Sequence, residues 1–253
     1  MRFLRYQTEE KSPRYGWLLE DKIGDIEGDL FGEFRRLDAV TPLAEVKLLA
    51  PSLPTKILCV GRNYAAHAKE HNAEIPELPL IFFKPPSAIL NPNDAIILPH
   101  QSQQVEHEGE LVVVIGKRGR NIIAEKAKEH IFGYSIGNDV TARDLQNADR
   151  LWTRGKGFDT FAPFGPWIDT EFDPSDAVLT CRVNGQMRQM ASTRDMVFGV
   201  STIIAFISSV MTLEPGDVIY TGTPAGVGAL TNGDTVEVDI EGLGILSNPV
   251  LSA

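Results

Sequence analysis

The sequence predicts an α+β fold that is mainly β. Two features of its patterning carry that expectation and a third divides the chain. Apolar stretches of strand length outnumber those with helical spacing. Their order is not a regular β-α alternation, which argues against a doubly wound sheet or a TIM barrel. The texture changes near residue 50, where the apolar, Pro-containing connection from Leu43 to Leu53 ends. A small β-rich unit over 1–52 and a larger unit over 53–253 are therefore expected.

The elements follow in order. Arg14 to Glu20 reads as a short strand and Lys22 to Gly28 as its hairpin partner. Ile57-Leu58-Cys59-Val60-Gly61 is apolar throughout, the pattern of a strand buried on both faces. Asn63 reads as the N-cap of a polar helix, Tyr64 to His71. Leu80 to Lys84 is a strand stopped by Pro85-Pro86. Leu111 to Gly116 follows, then a helix around Ala124 to His130. Tyr134 to Asp139 is a strand leading into a helix, Ala142 to Trp152. Beyond a Gly-rich loop come a strand, Val178 to Asn184, and a buried amphipathic helix, Val197 to Met211. Val218 to Thr221 and Thr235 to Ile240 complete the strands.

With 253 residues the chain can bury a full core. Its net charge of -10 argues against a nucleic-acid footprint and against an anionic membrane surface. The charge does not bar a small anionic substrate, because a metal ion and a few placed cations reverse the field locally. Cys59 and Cys181 are the only cysteines, too few for a disulfide framework or a zinc cluster. With no apolar core of a signal peptide after Met1, a cytoplasmic location is expected.

The motif richest in chemistry is Val105-Glu106-His107-Glu108-Gly109-Glu110-Leu111, which runs into Val112-Val113-Val114-Ile115-Gly116. Residues two apart on a strand share a face, so Glu108 and Glu110 stand side by side with Gly109 leaving room between them. Two close carboxylates repel, and a divalent cation removes the conflict. Oxygen-only ligands favour Mg²⁺ or Mn²⁺ over Ca²⁺. A strand end with solvated acids accounts for the motif equally well. Asp139, in Gly137-Asn138-Asp139-Val140-Thr141-Ala142-Arg143-Asp144, offers a third carboxylate, though helix capping explains it as readily.

His67 and Glu70 are three apart on one helical face, where a carboxylate orients an imidazole and raises its basicity. An incidental exposed pair fits the same pattern. Lys156 lies between Gly155 and Gly157, placed to balance a substrate carboxylate or simply in a surface loop. Tyr220-Thr221-Gly222-Thr223-Pro224-Ala225-Gly226-Val227-Gly228 lacks the P-loop and dinucleotide spacings. Its hydroxyls and N–H groups suit a carboxylate or carbonyl oxygen, or only a tight turn. His107 stays unassigned.

Taken together, and in this order, the chain resembles the fumarylacetoacetate hydrolase superfamily. The matching segments are Gly61-Arg62-Asn63-Tyr64 with His67; Phe83-Lys84-Pro85; His107 to Leu111; Asp139 to Asp144; Lys156; and Leu213 to Gly228. The resemblance implies a mixed β-roll core with flanking helices, a small N-terminal accessory domain and a homodimer. It implies Mg²⁺ or Mn²⁺ held by Glu108, Glu110 and Asp139. It implies a His67–Glu70 dyad on a lid, as in the acylpyruvate hydrolase branch, with Lys156 contacting substrate. Arg62, Tyr64, Lys84, Arg143, Gln146 and Thr223 are its substrate-binding positions. Gly109 departs from the pattern, since a bulkier residue is common there.

The expected activity is metal-dependent hydrolysis of a C–C bond in an acylpyruvate or other 2,4-dioxo acid, through a metal-stabilised pyruvate enolate. His67 activates the water. Oxaloacetate decarboxylation or tautomerisation, and 2-hydroxyhepta-2,4-diene-1,7-dioate isomerisation, are the alternatives that the same site chemistry allows. A metal-dependent 2-oxo-acid binding module and a structural Ca²⁺ site are the non-enzymatic readings. Asn72 to Leu78 and Phe158 to Trp167 are the segments expected to set specificity.

Overall fold

The computed structural model describes residues 1–9 and 11–253. Strands hold 45% of the chain against 18% in helices, so the mainly β expectation is met. Among the described residues the largest of three sheets has twelve strands, ten of them in a continuous path. Its order is Phe34–Pro42, Lys22–Gly28, Lys11–Leu19, Arg2–Thr8, Ala162–Asp169, Ile131–Asn138, Gly109–Ile115, Val218–Tyr220, Ile57–Gly61 and Leu80–Lys84. A five-stranded sheet runs Gln186–Ser192, Val178–Val183, Thr235–Ile240, Gly244–Ser252, Ile96–Leu98. The third is small: Thr141–Ala142, Val105–His107, Gly228–Ala229.

The strand Gly109–Ile115 shows why its sequence is a continuous apolar run. Leu111, Val113 and Ile115 point into one core cluster, and Val112 and Val114 into another on the opposite face. Each such side chain contributes about 1.5–3 kcal/mol by leaving water. The helix α4 (Val200–Val210) buries Ile203, Ile204 and Ile207 on one face. Its Ser208 Oγ accepts the Ile122 N–H at 2.9 Å, which ties down the 120s segment.

The N-terminal strands pack around a satellite cluster of Leu4, Tyr6 and Ile23. They join the larger part through two register pairs, Arg2 with Asp169 and Phe3 with Ile168. Asp169 also takes the Met1 ammonium and Arg2 Nε, both at 3.3 Å.

Several local expectations are corrected. Glu108 and Glu110, expected side by side on one strand, are split: the segment forms two strands in two sheets, Val105–His107 and Gly109–Ile115, and Glu108 lies between them. The helix α1 is Ala65–Glu70, and Asn63 does not cap it. Instead Asn63 Nδ2 donates to Thr221 O and Phe198 O while its Oδ1 accepts Phe198 N. The helix expected over Ala142 to Trp152 is shorter, α2 (Arg143–Asp149). The loop around Lys156 holds a one-turn helix, α3 (Thr153–Lys156). Leu43 to Leu53 contains the strand Lys47–Leu49. Much of the segment from Phe158 to Trp167 is a buried strand rather than a specificity loop.

Candidate metal centre and active site

Glu108 sits where the chain leaves one sheet for another. Its N–H is taken by Asn138 Oδ1 (2.8 Å) and its carbonyl accepts Asp139 N–H (2.8 Å). That pair of bonds fastens the two acidic segments together. Glu110 is one residue into the next strand, and Asp139 follows the strand Ile131–Asn138. One carboxylate oxygen from each of the three lies within 4.8 Å of the others, and all three side chains are buried.

Cations and donors surround the acids. Lys156 Nζ bridges Glu108 Oε2 (2.8 Å) and Asp139 Oδ2 (2.7 Å). Arg143 joins Glu108 and Glu106 through its guanidinium and reaches Gln146 Oε1. Burial alone would push the Glu108 carboxyl up, yet Lys156 and Arg143 hold it well below the usual carboxylate range. Glu110 goes the other way. Burial, then the charges of Asp139 and Glu108, push it well above that range.

These residues fit a divalent cation by their donor chemistry. Lys84 Nζ pairs with Asp139 Oδ1 at 2.6 Å and also donates to the Val140 carbonyl (2.8 Å). Glu110 is a buried carboxylate facing two others, whose repulsion a hard cation with oxygen ligands relieves.

The cluster opens into a cavity of about 220 Å³. His67, Arg62, Arg143, Gln146, Lys156 and Thr223 line it with the three acids. Arg62 holds a left-handed backbone (φ 56°), a conformation that non-glycine residues keep only where their surroundings enforce it. Tyr64 and Lys84 do not line the cavity. Tyr64 is buried with its hydroxyl unpartnered, and Lys84 lies behind Asp139. Lys84 touches the carboxylate cluster through Asp139.

His67 Nδ1 faces Glu70 Oε2 at 3.4 Å. Burial, with help from His71 and Arg143, lowers the imidazole below its usual range despite the pull of Glu108 and Glu70. The ring is therefore neutral near pH 7. Glu70 does not line the cavity; it braces the ring from behind and accepts the Gly226 N–H. The glycines of the loop from Gly222 to Gly228 have work of their own. Gly222 (φ 100°) donates its N–H to Glu110 Oε2 at 2.7 Å, and a Cβ there would stand 2.6 Å from that of Asn63.

Sequence reasoning missed Gln189. It is buried, accepts Gly109 N–H (3.0 Å) and donates to Thr223 Oγ1 (2.7 Å) and Pro224 O (2.8 Å). It locks the acidic strand to the Gly-rich loop. Its strand, Gln186–Ser192, carries polar residues at most positions, so nothing marks this one. Val238 and Gln189 account for the departure at Gly109. A Cβ there would meet Val238 Cγ1 at 3.0 Å and Gln189 Oε1 at 3.4 Å, so the space a larger residue would take is filled from the facing five-stranded sheet. His107 is buried, with Nδ1 toward Gln189 Oε1 (3.2 Å) and Cys181 Sγ (3.4 Å).

The fold and this acid-and-histidine cavity define a fumarylacetoacetate hydrolase-type protein. The profile of the family "Fumarylacetoacetate (FAA) hydrolase C-terminal" matches residues 56–251, and the chain belongs to that family. Residues 1–51 match "Rv2993c-like, N-terminal". Protein Rv2993c of Mycobacterium tuberculosis is 52% identical, across 83% of this chain and 80% of its own. The Bos taurus oxaloacetate tautomerase FAHD2B is 46% identical, across 84% of this chain and 72% of its own. The crystal structure of a 2-hydroxyhepta-2,4-diene-1,7-dioate isomerase from Mycobacterium marinum superposes with a TM-score of 0.93 at 44% identity, covering 100% and 98% of the two chains. A maleylpyruvate hydrolase from Sphingobium sp. SYK-6, in complex with Mn²⁺ and pyruvate, gives 0.83 at 33% identity and covers both chains fully. Members of this family are thus hydrolases, isomerases and tautomerases. No helix among the described residues is long and apolar enough to cross a membrane.

Proposed function

We propose that this chain is a divalent-metal-dependent enzyme that interconverts the keto and enol forms of a small 2-oxo dicarboxylate, with oxaloacetate as substrate. The observation that carries this reading is His67: a neutral imidazole braced by Glu70, on the wall of a small cavity that also holds the three carboxylates. Sequence analysis puts C–C hydrolysis first. Two observations support reversing that order. The cavity of about 220 Å³ with Arg62, Arg143 and Lys156 on its wall suits a compact dianion. The bovine relative at 46% identity is an oxaloacetate tautomerase.

Glu108, Glu110 and Asp139 would hold Mg²⁺ or Mn²⁺, which as a Lewis acid polarises a carbonyl and stabilises negative charge on its oxygen. Lys156 and Arg143 balance the substrate carboxylates, and Gln146 offers its amide beside them. When the C3–H bond of the keto form breaks, the proton goes to His67 Nε2. The electron pair closes the C2–C3 double bond, leaving negative charge on the 2-oxygen. Glu70, holding Nδ1–H, stabilises the imidazolium. The proton then passes to the 2-oxygen and the enol is complete.

Hydrolysis of acylpyruvates is the second reading, favoured by the maleylpyruvate hydrolase neighbour. It uses the same base on a water. Metal-stripped protein reloaded with Mg²⁺ and given oxaloacetate or acetylpyruvate separates the two. Mg²⁺-dependent loss of enol absorbance without pyruvate formation supports the tautomerase. Acetate and pyruvate from acetylpyruvate, with oxaloacetate untouched, would sink it.

A further inference from the structure

Beside the carboxylate cluster lies a second group of donors that the proposed reaction uses only in part. His67 lies in α1 and His71 caps its C-terminus four residues on, the spacing of a histidine pair that grips Zn²⁺ from a helix. Their rings meet edge to face with centroids 4.7 Å apart. Glu70 completes the group: one donor atom from each of the three residues lies within 4.8 Å of the others. The 3.4 Å between His67 Nδ1 and Glu70 Oε2 approaches the separation, roughly 3.3 Å, of two ligands on a tetrahedral ion. Glu70 is held in place by the Gly226 N–H, as a ligating carboxylate is by its hydrogen-bond partners.

Donor chemistry separates this group from its neighbour. Glu108, Glu110 and Asp139 offer oxygen alone, the preference of Mg²⁺ and Mn²⁺. His67, Glu70 and His71 offer two imidazole nitrogens and one oxygen, a set that Mg²⁺ declines and Zn²⁺ accepts. His71 and Glu70 are exposed, which gives an ion a path in from solvent.

We propose that His67, Glu70 and His71 form a second metal site, for Zn²⁺, and that filling it silences the chemistry of the carboxylate site by consuming the His67 base. The silencing rests on the base role given to His67 above; the binding does not. Three protein ligands leave a tetrahedral ion one position for water. The two sites then sort ions by ligand type, the oxygen site enabling turnover and the nitrogen site blocking it.

The test uses the full chain loaded with Mn²⁺ and titrated with Zn²⁺. Bound Mn²⁺ is followed by electron paramagnetic resonance, bound Zn²⁺ by elemental analysis after gel filtration, and turnover on oxaloacetate. One added equivalent of Zn²⁺ is expected to bind while the bound-Mn²⁺ signal persists and turnover is lost. His71→Asn should weaken Zn²⁺ binding by about 10–100-fold and leave Mn²⁺ binding alone. Release of Mn²⁺ one for one with Zn²⁺ uptake, absence of Zn²⁺ uptake, or unchanged Zn²⁺ affinity in His71→Asn would each overturn the site. Zn²⁺ bound beside retained Mn²⁺ with full turnover would leave the site standing and overturn the silencing, together with the base role of His67.

Discussion

The Glu70 carboxylate accepts the backbone N–H of Gly226, 156 residues further along the chain, at 3.1 and 3.2 Å from its two oxygens. This contact fastens α1, which carries His67, to the loop that also supplies Gly222 and Thr223. Gly226 has φ 99°, and a Cβ there would stand 2.1 Å from the Arg188 carbonyl. Gly226→Ala is therefore expected to cost ~1–3 kcal/mol of stability and to slow turnover through displacement of Glu70. Thermal unfolding and kcat of the variant check both halves.

His67→Asn removes the base while keeping a polar side chain of similar reach. Turnover should fall by ~10²–10⁴-fold. Mn²⁺ affinity, read by calorimetry, should hold, since the ring is no part of the carboxylate cluster.

The pH dependence of turnover follows from the same ring. Burial lowers His67 below its ordinary 6.5, and only the neutral form accepts a proton. Turnover should therefore fall on the acid side, with its inflection below 6.5, and this limb should vanish in His67→Asn. Stability moves in the same sense. The unfolded chain takes up this proton first as pH falls, so the contribution of His67 to stability is whole above 6.5 and declines through the lowered value.

Glu110 predicts the opposite slope for metal-free protein. Its folded value is raised well above the ordinary 4.5, mainly by burial and then by its two acidic neighbours. The folded state thus holds this proton longer than the unfolded one. Its contribution is whole below 4.5 and is lost as pH rises through the raised value. Melting temperature of stripped protein should drop over that window, Mg²⁺ should restore it, and Glu110→Gln should flatten the curve and abolish the Mg²⁺ response. A slope that Glu110→Gln leaves intact would place the charge conflict elsewhere.

Gln189→Leu strands Gly109 N–H and the Pro224 carbonyl in a buried place, while Thr223 Oγ1 keeps its bond to the Gly109 carbonyl. Each unsatisfied group costs ~1–3 kcal/mol. Chemical denaturation should show a loss well beyond one ordinary hydrogen bond, with Mn²⁺ affinity falling alongside because the acidic strand loses its brace.

Much of the site is legible in the sequence because its residues come in short local motifs. Glu108 and Glu110 are two apart, His67 and Glu70 three apart, and the structure gathers them with Asp139, Arg143 and Lys156 around one cavity. What escaped was set by distant contacts. Asn63 has the chemistry of a helix cap, yet Thr221 and Phe198 claim its amide. The strand Ala162–Asp169 contains Pro163, Gly165 and Pro166 and reads as a loop. It survives inside the sheet because the pairing with Ile131–Asn138 slips between Tyr134 and Ile136, beside the proline that has no N–H to donate. α3 is too short to form alone. Gly155 packs so tightly on Gln146 that a Cβ would stand 2.8 Å from its backbone nitrogen, and that contact holds the turn.

The passage of the chain from one sheet to another at Glu108 has a thermodynamic meaning. Val105–His107 belongs to the small sheet and Gly109–Ile115 to the large one, so the residue between them keeps its place only while both sheets are docked. The acidic cluster is therefore not a rigid pocket carried by one element but a seam, and it exists only as long as the seam is closed. An ion held there would act as a clasp. Its affinity would measure how tightly the two sheets are joined, and local opening of the three-stranded sheet would be the route by which the ion is lost.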